Sequence, residues 1–130
     1  MKIAVRYYSR SGNTKLLAEA IANEVNVKAV SVDSVDADIK EPVDILFIGG
    51  ALYAYGLDKY LKEYLKTLKK EYVKKAIVFS TSWLSKHSID LIKKALRDNG
   101  IEVEDEFIYA KNKPSVEELE EAKNIVKKLC

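Results

Sequence analysis

Residues 3–14 read Ile3-Ala4-Val5-Arg6-Tyr7-Tyr8-Ser9-Arg10-Ser11-Gly12-Asn13-Thr14, an apolar run followed by a turn rich in hydroxyl groups. The apolar run favours a buried strand, and residues 15–25 after the turn have the spacing of a helix. A helix that begins directly after a turn presents unpaired backbone N–H groups and a partial positive charge to that turn. The order of strand, turn and helix therefore predicts an anion-binding loop suited to a phosphate.

The turn Ser9–Thr14, called here the phosphate loop, contains the groups that such a ligand needs. Gly12 allows the backbone to come close to the ligand. Hydroxyl and amide groups come from four residues of the loop: Ser9, Ser11, Asn13 and Thr14. We expect the side chain of Arg10 to point partly into solvent, because amides and hydroxyls suffice without a full counter-charge. Serine and asparagine before a helix are also common caps, so the loop alone leaves a purely structural role open.

Short apolar runs then alternate with segments of helical spacing, a pattern typical of an α/β protein with a parallel sheet. Five runs are predicted as strands: Ile3–Tyr8, Val27–Val32, Ile45–Gly49, Ala76–Ser80 and Ile101–Tyr109. Four segments place apolar side chains on one helical face. These segments contain Leu17 with Ile21, then Leu57–Leu68, then Ile89–Leu96, and finally Leu119–Leu129. Gly100 is expected to end the third helix, and residues 114–118 have the pattern of a capping box that begins the fourth.

Two places in this pattern are less regular. The stretch Asp33–Asp44 is mostly polar, so the helix expected between the second and third strands is short or absent. Arg6 interrupts the apolar run of a strand predicted to lie at the centre of the sheet. Either a charged side chain there is paired, or it lies near the carboxyl edge of the sheet, or the predicted strand is misplaced.

Length and composition limit the possible classes of protein. The chain has 130 residues, 48% of them apolar, so we expect a single domain spanning residues 1–130. The 22 basic and 20 acidic residues nearly balance, which gives no general attraction to nucleic acid or membranes. No run is long and apolar enough to cross a membrane or to act as a signal peptide. Cys130 is the single cysteine, which excludes an internal disulfide, so we expect a soluble, cytoplasmic protein.

The phosphate loop resembles that of the flavodoxin family. Ser9-Arg10-Ser11-Gly12-Asn13-Thr14 matches the family pattern Ser/Thr-x-Ser/Thr-Gly-Asn-Thr at every defined position, directly after the first strand. The order of predicted elements resembles the family over essentially the whole chain. The resemblance implies a three-layer sandwich with a five-stranded parallel sheet of order 2-1-3-4-5. It also implies flavin mononucleotide (FMN) at the carboxyl edge of the first and third strands, with its phosphate on the loop.

The resemblance further implies that the flavin ring lies against the loop after the third strand, Gly49–Gly56. The expected contacts are Ala51, Leu52, Tyr53, Tyr55 and Gly56. We favour Tyr53 for stacking on the ring, although both tyrosines have the alternative of packing on the following helix. The pair Gly49-Gly50 is expected to let a backbone carbonyl turn toward flavin N5.

The loop after the fourth strand, residues 80–88, departs from the usual flavodoxin pattern because it lacks glycine and carries Lys86 and His87. Thr81 and Ser82 are the candidates for hydrogen bonds to the pyrimidine edge of the flavin. Trp83 is the candidate for covering a ring face, with plain surface packing as the alternative. His87 is expected either to begin a helix or to act as a proton donor or charge near the flavin.

The charges of these three loops have a consequence for the redox potential. The loops contain no Asp or Glu before Asp58. Negative charge near FMN disfavours its anionic, fully reduced form. We therefore expect a less strongly reducing flavin than in acidic flavodoxins.

Other families with similar folds fit less well. Lys113-Pro114 resembles the Lys-Pro step of response-regulator receivers, but Ile48-Gly49-Gly50 stands where a receiver needs its phosphoacceptor Asp. Dinucleotide and P-loop nucleotide motifs are absent from the sequence. The favoured function is an electron carrier between redox proteins, as a monomer or weak dimer. The alternatives are an FMN-dependent oxidoreductase of the quinone or protoporphyrinogen type, and a flavin-free interaction module.

Overall fold

A computed structural model describes residues 1–53, 56–83 and 85–130 of the chain. These residues form eight strands and four helices. In chain order they are β1 (Ile3–Tyr7), α1 (Asn13–Glu24), β2 (Ala29–Ser31), β3 (Val43–Gly50), β4 (Leu52–Tyr53), β5 (Gly56–Leu57), α2 (Lys59–Thr67), β6 (Val73–Ser82), α3 (His87–Asp98), β7 (Glu102–Val103), β8 (Ile108–Lys111) and α4 (Val116–Leu129). None of the described helices is long and apolar enough to cross a membrane.

The main sheet is parallel, with β1 between β2 and β3 and with β6 beside β3. β7 and β8 both pair with β6, β7 near its start and β8 near its end. The two short strands therefore share the fifth position of the sheet. This arrangement confirms the predicted order 2-1-3-4-5. β4 and β5 form a separate antiparallel pair, which the sequence did not predict.

Side chains of the central strands alternate between two hydrophobic clusters, one on each face of the sheet. In β3, Leu46 and Ile48 face one cluster while Ile45 and Phe47 face the other. The first cluster also contains Leu61 of α2 and Ile92 of α3, and the second contains residues of α1 and α4. Because successive side chains of a strand point to opposite faces, strands buried on both faces need continuous apolar runs. The predicted three-layer sandwich is confirmed.

Two boundaries differ from the sequence prediction. The run Ile101–Tyr109 is not one strand: residues 104–107 interrupt it, and the backbone N–H of Glu104 still donates to Ala76 O at 2.9 Å. β6 continues to Ser82, so Thr81 and Ser82 lie at the end of a strand and not in a loop. Glu104 forms an ion pair with Lys75, which explains why charged residues are tolerated at this interruption.

Between β2 and β3 the chain forms turns and no helix, as the polar stretch indicated. The Arg6 side chain is satisfied within this region. Its Nε donates to Ala37 O at 2.7 Å, and one terminal nitrogen donates to Val5 O at 3.1 Å. Tyr64 Oη also donates to Ala37 O, at 2.5 Å. One backbone carbonyl of the turn region thus accepts bonds from a strand and from α2.

Gly49 and Gly50 have a role in the packing of β3. A Cβ atom on Gly49 would overlap the ring and the carbonyl oxygen of Phe79, and one on Gly50 would overlap the Leu61 side chain. Their carbonyl groups accept bonds from Tyr8 N at 3.1 Å and from Ser80 Oγ at 2.5 Å. Both glycines belong to β3, and both carbonyls have partners within the protein. The predicted turn of a carbonyl toward flavin N5 would require one of them to leave its partner.

Gly49→Ala should lower the free energy of unfolding by about 1–3 kcal/mol, because the added methyl group must displace the buried Phe79 ring. Gly56→Ala is the matched control. Among the described atoms, the nearest to its added Cβ is Lys62 Nζ at 3.7 Å, an ordinary contact. Urea denaturation of both variants measures the difference. Equal stability of the two variants would contradict the packing argument.

Candidate functional site

The phosphate loop connects the end of β1 to the start of α1 and is organised by its own hydroxyl groups. Ser9 Oγ accepts a hydrogen bond from Gly12 N at 2.9 Å, and Ser11 Oγ accepts a longer one from Asn13 N at 3.4 Å. Gly12 has φ +94°, a left-handed conformation in which residues with side chains are strained. The loop therefore requires glycine at this position for a conformational reason.

The phosphate loop fits an anion in two further respects. A Cβ atom built on Gly12 would meet no described atom within 4 Å, so the backbone is open to a ligand at this point. The N-cap residue of α1, Gly12, provides no side-chain cap, whereas Asp58 caps α2 and Ser115 caps α4. The N–H groups of the first turn of α1 are the donors that a phosphate satisfies. These features match the ligand predicted from the sequence.

A buried hydrogen bond joins the phosphate loop to the end of β6. Thr14 Oγ1 and Thr81 Oγ1 are 2.6 Å apart, and the two residues are only 1% and 2% exposed. The sequence placed Thr14 at the phosphate and Thr81 at the pyrimidine edge of the flavin, without connecting them. The structure brings the two predicted residues together. Their contact holds the phosphate loop against the end of β6.

Arg10 is held by Asp58 and Tyr53. Its Nε and a terminal nitrogen donate to Asp58 Oδ2 at 2.9 Å and 2.6 Å, and its Cζ lies 4.0 Å from the centre of the Tyr53 ring. The side chain is 55% exposed, in agreement with the expected partial exposure. The hydrogen bond to Asp58 raises the pKa of the Arg10 guanidinium. The cation of the phosphate loop is therefore already matched by one carboxylate.

Asp58 is a residue of this site that the sequence analysis did not identify. It is 5% exposed, and its Oδ1 accepts from Tyr60 N at 2.8 Å as the N-cap of α2. An aspartate directly before a predicted helix is a common N-cap, so this role of Asp58 could have been predicted from the sequence. Its partner Arg10 lies 48 residues earlier in the chain. No local pattern reveals that second contact.

Tyr53, the favoured stacking residue, contacts the phosphate loop directly. Its Oη accepts from Arg10 N at 3.0 Å, and the Arg10 guanidinium lies over its ring. Leu52 and Tyr53 pair with Gly56 and Leu57 in the antiparallel pair of β4 and β5. The predicted contacts Ala51, Leu52, Tyr53 and Gly56 are all half-buried at this edge of the sheet. The predicted contact Tyr55 lies outside the described residues.

Ser82 is engaged within the protein. Its Oγ donates to Ser85 O and lies 3.2 Å from Tyr109 Oη, while Tyr109 Oη donates to Ser82 O at 2.8 Å. These bonds join the end of β6 to β8. The predicted role of Ser82, a hydrogen bond to the pyrimidine edge, would require its hydroxyl to exchange these partners.

Trp83 and His87 are both exposed. Trp83 is 60% exposed, and Lys111 Nζ lies 5.4 Å from the centre of its ring. His87 begins α3, and its backbone N–H donates to Ser85 Oγ at 3.0 Å. The position of His87 fits the interpretation as a residue that begins a helix.

The turn between β8 and α4 is a further part of the site that the sequence analysis missed. Asn13 Nδ2 donates to Asn112 Oδ1 at 3.2 Å, and Asn112 has φ +57°. Asparagine is among the residues that adopt this left-handed conformation most readily. Four segments therefore meet at one edge of the sheet: the phosphate loop, the β4–β5 pair, the end of β6 and the turn at Asn112.

Asp58→Ala and Asp58→Ser separate the two roles of this carboxylate. Both variants release Arg10, but serine retains an oxygen that can cap α2. Asp58→Ala should be the less stable by about 1 kcal/mol, the usual value of an N-cap. Urea denaturation measures the difference. Equal stability would show that the bond from Tyr60 N contributes nothing.

Comparisons with known proteins agree with this geometry. A family model described as a flavodoxin domain matches residues 4–107. An uncharacterized protein of Methanocaldococcus jannaschii is 27% identical, over 99% of this chain and 98% of the relative. A flavodoxin from the domain Archaea has a TM-score of 0.78 and 26% identity, covering 99% of this chain and 96% of that one. Oxidised flavodoxin 2 from Bacillus cereus has a TM-score of 0.82 at 20% identity, covering 98% and 96%. The chain belongs to the flavodoxin domain family.

Proposed function

We propose that this chain binds FMN and carries electrons between redox proteins. The observation that carries the proposal is the phosphate loop, with a left-handed glycine, an open backbone and a buried Thr14–Thr81 bond to the neighbouring strand end. Bound FMN supplies reversible transfer of one or two electrons. The residues of the chain bind the cofactor, orient it and set the charge around it.

In this proposal the phosphate lies on the loop Ser9–Thr14 and is bound through backbone N–H groups and hydroxyls. Arg10 contributes little net charge, since Asp58 is its partner at 2.6 Å. The loop Ser9–Thr14, whose one charged side chain is paired, would bind a dianion mainly through oriented donors. Because the charge of Arg10 is paired, an anion that does not fit the oriented N–H and hydroxyl donors of the loop would bind only weakly.

The flavin ring would lie between the β4–β5 pair and the end of β6. Tyr53 supports one side, because its position is fixed by Arg10 N and by the Arg10 guanidinium. Thr81 and Trp83 lie on the other side, with Trp83 the exposed aromatic residue. We assign the carrier function to a single domain, residues 1–130, in the cytoplasm.

One comparison favours a carrier over an oxidoreductase. The known structures that this chain covers over nearly their whole length include flavodoxins. Two flavodoxins are covered to 96% of their length, whereas the chain covers 34% of the rubredoxin:oxygen oxidoreductase of Desulfovibrio gigas. A carrier exchanges electrons with protein partners and turns over NAD(P)H slowly. An oxidoreductase would reduce a quinone or oxidise a porphyrinogen with kcat of roughly 1–1000 per second.

Gly12→Val and Thr14→Ala should each weaken FMN binding about tenfold or more, because about 1.4 kcal/mol of lost interaction corresponds to a factor of ten. Valine strains the left-handed backbone, and alanine removes the hydroxyl that orders the loop. Tyr53→Phe, which keeps the ring, should have a smaller effect. Quenching of flavin fluorescence measures each Kd.

Riboflavin, which has the same ring but no phosphate, is the control ligand. Its affinity should be much lower than that of FMN for the wild type and should be unchanged by Gly12→Val. A variant that loses riboflavin and FMN equally has lost its fold or its ring site. Absence of FMN binding at micromolar concentration would refute the proposed function.

Ser85→Asp should lower the potential of the second one-electron reduction of bound FMN. The added carboxylate disfavours the anionic reduced flavin, by an amount on the order of tens of millivolts. Aspartate can still accept the bond that Ser85 Oγ receives from His87 N. Asn124→Asp, an exposed change in α4, is the control with equal charge. A spectroscopic redox titration compares them, and equal shifts would contradict a local effect.

A further inference from the structure

Four segments at the carboxyl edge of the sheet carry a clear excess of positive charge. Residues 8–15, 50–59, 81–88 and 109–115 contain six lysine or arginine residues and one carboxylate, Asp58. That carboxylate is buried and bound to Arg10. The six cations are Arg10, Lys15, Lys59, Lys86, Lys111 and Lys113. All six are exposed.

Several of these cations lie over aromatic rings and form no ion pair within the described ranges. Lys59 Nζ is 5.7 Å from the Tyr60 ring centre, Lys86 Nζ is 5.2 Å from that of Tyr109, and Lys111 Nζ is 5.4 Å from that of Trp83. An aromatic face holds an ammonium group in place without cancelling its charge. The positive field at this edge therefore persists.

Some lysines elsewhere on the molecule do have carboxylate partners. Lys2, Lys75, Lys94 and Lys128 form ion pairs of 2.6–3.0 Å, all away from the carboxyl edge. The basic surface arises from the arrangement of charges, since the net charge of the chain is only +2.

The basic surface has a sharp boundary on the side of β2. Asp33, Asp36 and Asp38 follow that strand and are exposed. A nucleic acid strand or a membrane lying across the whole edge would meet these carboxylates. A compact acidic patch, the size of a protein interface core, would avoid them. The exposed rings of Trp83, at 60%, and Tyr60, at 46%, lie among the cations and supply apolar contact area.

We propose that this surface, defined by Lys59, Lys86, Lys111, Lys113, Tyr60 and Trp83, docks an electron-transfer protein whose own redox centre is surrounded by carboxylates. This inference rests on the proposed FMN function, because the same edge holds the cofactor site. Opposite charges around the two centres speed up association and orient them toward each other. The acidic boundary at β2 repels carboxylates on one side and so fixes the orientation of the partner.

The test compares two triple variants that remove the same charge. Lys86→Gln, Lys111→Gln and Lys113→Gln alter the basic surface. Lys69→Gln, Lys70→Gln and Lys74→Gln alter exposed lysines at the opposite edge of the sheet, the first two between α2 and β6 and the third at the start of β6. The probe is an oxidised acidic 2Fe–2S ferredoxin, and calorimetry gives its Kd for the FMN-loaded and FMN-free protein at low and high ionic strength.

The surface triple should weaken ferredoxin binding about tenfold or more at low ionic strength, and the control triple less than about threefold. High salt should remove most of the difference. Equal losses in both triples would overturn the proposal. Tighter binding of cationic cytochrome c, or of a single-stranded oligonucleotide, than of ferredoxin would also overturn it.

The FMN affinity of each variant is measured in the same experiment. If the wild type fails to bind FMN, the carrier function is refuted whatever the ferredoxin result. If FMN binds and ferredoxin does not distinguish the two triples, the docking surface alone is refuted.

Discussion

The parallel pairing of β3 with β6 is the constraint on which the rest of the structure depends. Seven residue pairs, from Val43–Val73 to Gly50–Ser80, align the two strands. This alignment buries both faces of each strand and brings their carboxyl ends to one edge of the sheet. It also requires Gly49 opposite Phe79, since no other residue leaves room for that ring. Every segment of the site is attached to this edge.

The alternation of apolar runs and helical segments was sufficient to predict the layers and the strand order. Strands that are apolar on both faces must be covered by helices on both sides. Few sheet topologies allow this when the connections are short and right-handed. The split of the last strand was not predictable in this way. Residues 104–107 interrupt it, and Glu104 at this interruption pairs with Lys75 of β6, a contact between distant parts of the sequence. Hydrophobic periodicity contains no information about such a contact.

In the candidate site, too, contacts between neighbours in sequence were predictable and contacts between distant residues were not. The phosphate loop was predictable because its residues are consecutive and each has a chemical reason to be there. Asp58 and Asn112 were not, because their partners Arg10 and Asn13 are distant in sequence. The packing role of Gly49 and Gly50 was not predictable either, because a glycine required by a neighbouring side chain has the same appearance in sequence as one required by a ligand.

Asp58 connects two elements that the sequence keeps apart, since one oxygen caps α2 and the other holds Arg10. The phosphate loop and the first turn of α2 therefore open together in local unfolding. A ligand that binds only the closed loop stabilises that whole unit by mass action. Hydrogen exchange at the start of α2 thus becomes a remote indicator of whether the phosphate loop is occupied.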